Sequence, residues 1–249
     1  MPPRSPLFLS RLGERRYAIL FAGFLSLLVI AFGVVLTFIV APKQEREWRR
    51  IERFPQLDRN GYTATPSGGY VVVTGRLQDN STLTRHELVA YRLDEWTVSR
   101  DEDGDDEGRW RTVEVNVPGL AISINGGVVK TAAVDSVAMS GQVHEFIERG
   151  DSRRQAPYAG RSLPDGSLRT QGFRNRDLVT AVGRTTSTGE LRPERLHGGD
   201  RPHLVDHMRS NARALRVFGI VLLAFSSLPW LAIALWTVRN LYFTRASPR

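Results

Sequence analysis

Two apolar runs interrupt a chain that elsewhere alternates between apolar and polar positions. Residues 17–41 and 217–238 carry no charged side chain, and each reaches the ~20 residues a helix needs to cross a bilayer. In hydrocarbon every backbone polar group needs an internal partner, so these runs predict two helical spans, drawn at 17–41 and 214–238. Arg4, Arg11, Arg15 and Arg16 precede the first run, as basic residues precede a signal peptide. Its apolar stretch is longer than the ~7–15 residues of a cleavable leader, and Ile39-Val40-Ala41 is a poor cleavage site, so an uncleaved anchor is expected. Pro229, after Ser226 and Ser227, predicts a kink in the second span, the serine hydroxyls serving the freed backbone groups. Gly23, Gly33 and Gly219 predict close approach of the two helices.

Between the spans the dominant period is two. Residues 70–77 (YVVVTGRL) form a β-branched run ending near a glycine, and 88–99 (LVAYRLDEWTVS) alternate again. The acidic, glycine-containing stretch 101–108 is turn chemistry, and 110–117 (WRTVEVNV) resume the alternation, which predicts a hairpin. Residues 121–124 and 128–134, joined by Asn125-Gly126-Gly127, predict a second. Residues 177–185 and 189–196 predict a third. The stretch 139–172, polar and rich in Gly, Arg and Ser, is expected to be mostly irregular. Val72-Val73-Thr74-Gly75-Arg76 and Thr180-Ala181-Val182-Gly183-Arg184 look alike, each closing on Gly-Arg as at a sharply bent sheet corner. The expected fold class is a membrane protein of the α+β kind, with two transmembrane helices flanking one mainly β extramembrane domain, a small barrel or sandwich. Its segments are a cytoplasmic N-terminus (1–16), a first helix (17–41), the β domain with its juxtamembrane segments (42–213), a second helix (214–238) and a cytoplasmic tail (239–249).

Charge sets the orientation. Basic residues on the short flanks, four in the first sixteen positions and then Arg239, Arg245 and Arg249, place both termini in the cytoplasm and the central domain outside a cell membrane crossed twice. Lys43, Arg46, Arg49, Arg50 and Arg53, with Arg209, Arg213 and Arg216, favour the opposite sense, but long domains are translocated largely regardless of charge. The net charge is +8, carried almost wholly by arginine, since Lys43 and Lys130 are the only lysines. Because these arginines concentrate beside the apolar runs, they point to phospholipid headgroups rather than nucleic acid, or simply to a solvated surface. There is no cysteine, which excludes disulfides, thiolate zinc sites and cysteine nucleophiles.

Taken together, VVVTGRL, LVAYRLDEWTV, WRTVEVNVPGLAISINGGVVKT, GFRNRDLVTAVGRT and HLVDHMRSNARALRVFGIVLLAF resemble the GIDE or BAM (beside-a-membrane) domain family. Such domains lie between two membrane helices in mitochondrial ubiquitin ligases and in prokaryotic proteins of similar layout. The resemblance covers roughly residues 69–225. In the mitochondrial ligases a zinc-binding RING follows the second helix; here residues 240–249 follow and no cysteine exists to hold zinc, so ligase activity does not carry over. What the resemblance implies is a membrane-apposed β domain on the outer side, with binding or regulatory work.

Candidate sites are few. Residues 103–114 nearly fit a calcium loop, but an EF-hand needs flanking helices, and both flanks here are strand-like. His203 and His207, four apart, share one face of a helix with Asp200 and His197 nearby, a weak zinc candidate that lacks the glutamate of a metalloprotease helix. The same stretch reads equally as an amphipathic segment with Leu204, Met208, Arg209 and Arg213 at the headgroups. His86 and His144 are expected at the surface or a strand edge, and Tyr70, Tyr91, Trp96 and Trp110 in the core. Trp48 is expected in the interface, with Arg15, Arg16, Arg49, Arg50, Arg209, Arg213 and Arg239. No GxSxG elbow, GxxxxGK[ST] loop or GxGxxG turn is present.

The expectation is thus a double-anchored, non-catalytic binding or regulatory module, without cofactor, whose partners are membrane lipids and a membrane protein or complex, not nucleic acid. Two alternatives stand beside it. The Surfeit family of cytochrome oxidase assembly factors also sets a β domain between two helices and carries motifs like VVVTGRL, but it expects glutamine after the tryptophan and a histidine-tyrosine pattern entering the second helix. Here Arg49 follows Trp48. The other alternative is an enzyme with an unrecognised active site within 139–172.

Overall fold

Turn chemistry and alternation place the three hairpins where they form, but the sheet they build is centred on two strands far apart in sequence. The computed structural model describes residues 23–55, 57–84, 86–100 and 104–245, the last of these by backbone alone at 229 and 231–245. These residues fall into two compact units, one being Arg50–His207 and the other the described residues before Arg50 and after His207.

The β unit contains a short helix, α2 (Arg59–Thr63), and the strands β1 (Tyr70–Leu77), β2 (Leu88–Arg100), β3 (Asp106–Asn116), β4 (Ala121–Ile124), β5 (Gly127–Lys130), β6 (Ala138–Gly141), β7 (His144–Glu148), β8 (Gln155–Tyr158), β9 (Arg161–Pro164), β10 (Leu168–Arg174), β11 (Leu178–Thr185) and β12 (Leu191–Gly198). They form a six-stranded sheet in the order β5-β4-β1-β11-β12-β6, a four-stranded sheet β3-β2-β10-β7, and the ribbon β8-β9. The two Gly-Arg strands are the antiparallel centre of the larger sheet, with Val72 opposite Val182 and Thr74 opposite Thr180. The Thr74 and Thr180 hydroxyls meet at 3.0 Å. Their glycines have a steric reason: a Cβ on Gly75 would lie 2.1 Å from the Ser123 carbonyl oxygen, and one on Gly183 would lie 2.0 Å from that of Arg192. Both glycines therefore let a neighbouring strand cross close by, at Gly183 beside a bulge.

Val71, Val73, Phe173, Val179, Ala181, Leu191 and Leu196 form the main core between the sheets. Burying each of the valine, leucine and phenylalanine side chains stabilises the fold by about 1.5–3 kcal/mol. A second cluster gathers Trp96, Val98, Ala156 and Leu163. Trp96 donates from Nε1 to the Leu163 carbonyl at 3.1 Å, and Trp110 sits edge-on to Tyr158 at 5.4 Å. Asp94, almost wholly buried, is held by Arg169 at 2.8 Å, Arg92 at 3.1 Å and the Thr112 hydroxyl at 2.8 Å. A carboxylate removed from water needs this degree of pairing.

One expectation fails outright. Residues 139–172 are not an irregular excursion; they supply β6 to β9 and the start of β10. The strands are short and polar on one face, and their partners are remote: β10 pairs with β2 and β7, and β6 lies parallel to β12. The near-calcium stretch is the β2–β3 hairpin, in which Glu114 accepts from the Tyr91 hydroxyl at 2.7 Å; Asp103 lies outside the described residues.

The helical unit comprises the greater part of two helices long and apolar enough to cross a membrane. The first, α1 (Gly23–Arg53), contains a π-turn at Leu36–Val40. The second, α3 (Arg201–Arg245), begins well before the expected boundary at 214 and runs on through Pro229. Gly33 and Gly219 act as expected, whereas a Cβ on Gly23 would meet Trp230 at an ordinary 3.8 Å. Gly33 lies where a Cβ would come within 3.0 Å of Leu223, and a Cβ on Gly219 would come within 2.3 Å of the Thr37 hydroxyl. Nearby, the Ser26 hydroxyl donates to the Ser226 carbonyl at 3.0 Å and accepts from Trp230 Nε1 at 3.0 Å. Phe38 and Phe225 stand about two-thirds exposed on the outer faces, as side chains solvated by lipid rather than by protein would.

Candidate functional site

In the helical unit, α1 and α3 present matching polar faces next to their apolar stretches. Glu45, Trp48 and Arg49 follow helical spacing on α1, and Arg209, Arg213 and Arg216 recur at i, i+4 and i+7 on α3. They converge, with Ala212, on a cleft of about 400 Å³. Glu45 ties the two helices, accepting from Arg49 at 2.5 Å and from Arg216 at 2.7 Å. Loss of water pushes the Glu45 carboxyl up, but the bonds and charges of the two arginines outweigh this and hold it below its ordinary value. The Trp48 ring takes the guanidinium of Arg209 at 4.7 Å and that of Arg49 at 5.4 Å, stabilising each cation over a π face.

Of the predicted interface residues, the structure therefore brings together Trp48, Arg49, Arg209 and Arg213, and adds Glu45 and Arg216. Arg50 does not join them. It lies in the β unit, over the Tyr70 ring at 4.0 Å. Arg15 and Arg16 lie outside the described residues, as does the side chain of Arg239.

Within the β unit, the histidines do meet, but around His197. This residue is completely buried at the end of β12. Its Nδ1 is 3.0 Å from the Ser140 hydroxyl of β6 and its Nε2 is 2.9 Å from His203 Nδ1 at the start of α3, while the His207 ring stands 5.8 Å away. Two glycines make the room. A Cβ on Gly141, whose φ is +80°, would fall 2.6 Å from the His197 ring, and one on Gly199 would fall 3.1 Å from His203 Nδ1. Burial, then the electrostatic influence of His203, His207 and Arg195, push the His197 pKa down from 6.5 to about 4, so the ring is neutral at physiological pH. Neutral imidazole has one N–H, so the hydrogen bonds must run in one direction along Ser140, His197 and His203.

This arrangement departs from the zinc candidate of His203, His207 and Asp200. Asp200 is spent as a helix cap, accepting from the His203 backbone N–H at 2.9 Å, and His203 turns its Nδ1 to His197. Among the described residues no group of three or more His, Cys, Asp or Glu side chains is placed to hold a metal ion. His86 stacks on Phe146 at 4.0 Å, and His144 faces Asp177 at 3.2 Å, each away from the His197 cluster. Comparison with protein-family models, curated proteins and solved structures found no match to this chain.

Proposed function

We propose that the protein is a double-anchored membrane protein whose β unit serves as a non-catalytic binding or regulatory module within a membrane complex. The observation that carries this reading is the helical unit. Two long apolar helices meet at glycine contacts, expose large apolar side chains outward, and end in an arginine and tryptophan cluster suited to headgroups. In this reading the central unit lies outside the cytoplasm of a cell membrane, and the GIDE or BAM likeness of its motifs agrees with a binding role.

Alkaline carbonate washing of membranes containing the full chain tests the anchoring. The chain should stay in the pellet, and its recovery in the supernatant refutes the reading. A reporter fused after Arg249 tests the orientation, with activity expected only for a cytoplasmic reporter. Crosslinking in intact membranes tests the module: adducts formed by the full chain should disappear when residues 54–199 are deleted, and adducts that survive the deletion refute a binding role for the β unit.

A further inference from the structure

We infer that the cleft lined by Glu45, Trp48, Arg49, Arg209, Ala212, Arg213 and Arg216 is a specific site for the phosphate headgroup of an anionic glycerophospholipid. The inference rests on the membrane reading above and goes further by naming a ligand and the residues that hold it.

Charge comes first. Four guanidiniums and one carboxylate line the cleft. Glu45 neutralises one of them and fixes Arg49 and Arg216 in place through bonds of 2.5 and 2.7 Å. The cleft keeps a surplus of positive charge on pre-oriented, fork-shaped donors, and these match phosphate oxygens geometrically. Arg213 is exposed and, among the described residues, has no carboxylate within ion-pair distance. It is the group best able to swing onto an incoming anion.

Room and position come next. Ala212 is the one small side chain in the lining, and a volume of about 400 Å³ admits a phosphate with part of its glycerol. Ile220, one turn beyond Arg216 on the same face of α3, is half-exposed, so apolar helix surface follows the arginines directly. A ligand whose phosphate sits among the arginines thus finds apolar helix surface beginning at once on one side. Inorganic phosphate has no use for that surface, whereas acyl chains do. Trp48 adds an amphipathic ring at the boundary, where such rings prefer to lie.

The test is native mass spectrometry of the full chain in mild detergent, titrated with phosphatidylglycerol or with phosphatidylcholine. The wild type should bind the anionic lipid at least tenfold more tightly. Each guanidinium near an anionic headgroup strengthens attraction about fivefold, so Arg209→Gln with Arg213→Gln should weaken phosphatidylglycerol binding by roughly 25-fold. Arg153→Gln with Arg161→Gln removes the same charge from the β unit and should leave it unchanged. Equal binding of both lipids by the wild type, or equal losses in the two double variants, overturns the site. So does displacement of the lipid by millimolar inorganic phosphate, which would make the cleft a phosphate site. Carbonate washing of the same proteins separates the two failures: release from the membrane defeats the anchoring reading, while a retained protein without lipid preference defeats the site alone.

Discussion

Replacing His197 with glutamine should flatten the acid limb of the protein's stability curve. In the folded chain the His197 pKa lies at about 4, and an ordinary histidine titrates at 6.5. Between those values the unfolded chain holds a proton at this position that the folded chain does not, so stability rises with pH. The contribution is fully present above 6.5, fades as pH falls, and is exhausted near 4. At about 1.4 kcal/mol per pH unit, the whole interval is worth about 3 kcal/mol. Glutamine at 197 titrates nowhere in this range, though it should cost about 1–2 kcal/mol at pH 7.5 through poorer filling of a fully buried site. Thermal unfolding of the two full chains in the same detergent, from pH 7.5 to 4.5, measures the difference. The wild type starts higher and should lose several degrees more, so the two melting curves converge or cross near pH 4.5. Carboxylates titrate alike in both chains and cancel. Parallel pH profiles would show that burial of His197 does not hold its ring neutral.

Other perturbations follow from the same contacts. Asp94→Ala takes from Arg92 and Arg169 the carboxylate they share, leaving Arg92 on Gln171 and Arg169 over the Trp110 ring, and should cost about 3 kcal/mol, read as a fall of roughly 10 °C in the melting midpoint. Gly141→Ala forces a side chain into a left-handed conformation and against the Gly198 carbonyl, 2.3 Å from the added Cβ; it should cost more than about 2 kcal/mol in the same melt. Gly219→Leu should separate α1 from α3. In a chain without native cysteine, disulfide formation between Ser26→Cys and Ser226→Cys should then slow several-fold, and an unchanged rate would refute the glycine contact.

The parts of this fold that can be read in the sequence are those with local causes. The hairpins β2–β3, β4–β5 and β11–β12 announce themselves through turn residues set between alternating strands, and the Arg209, Arg213, Arg216 face follows from helical spacing alone. The region around β6 to β10 hides because its strands are short, its glycines imitate loops, and its hydrogen bonds go to partners remote in sequence. Gly172, for instance, reads as a breaker. It is a strand residue whose missing Cβ admits the Ala90 carbonyl, 2.2 Å from where that atom would be. Arg50 was expected beside Arg49 at the interface. One residue along a helix is a rotation of about 100°, which carries Arg50 off the Glu45, Trp48 and Arg49 face and over the Tyr70 ring. The His203 pairing with His197 likewise depends on the Gly198-Gly199 bend that carries β12 into α3.

The adjacency of β1 and β11 has a bearing on biogenesis. Tyr70–Leu77 must wait for Leu178–Thr185 before its second edge is covered, so the nascent polypeptide exposes an unzipped, valine-rich border while the roughly 100 residues between the two strands are made. Such long-range closure is slow and leaves an emerging chain open to illicit strand exchange. A ribosome stalled before residue 178 therefore delivers a product with an open seam, a natural target for quality-control proteases.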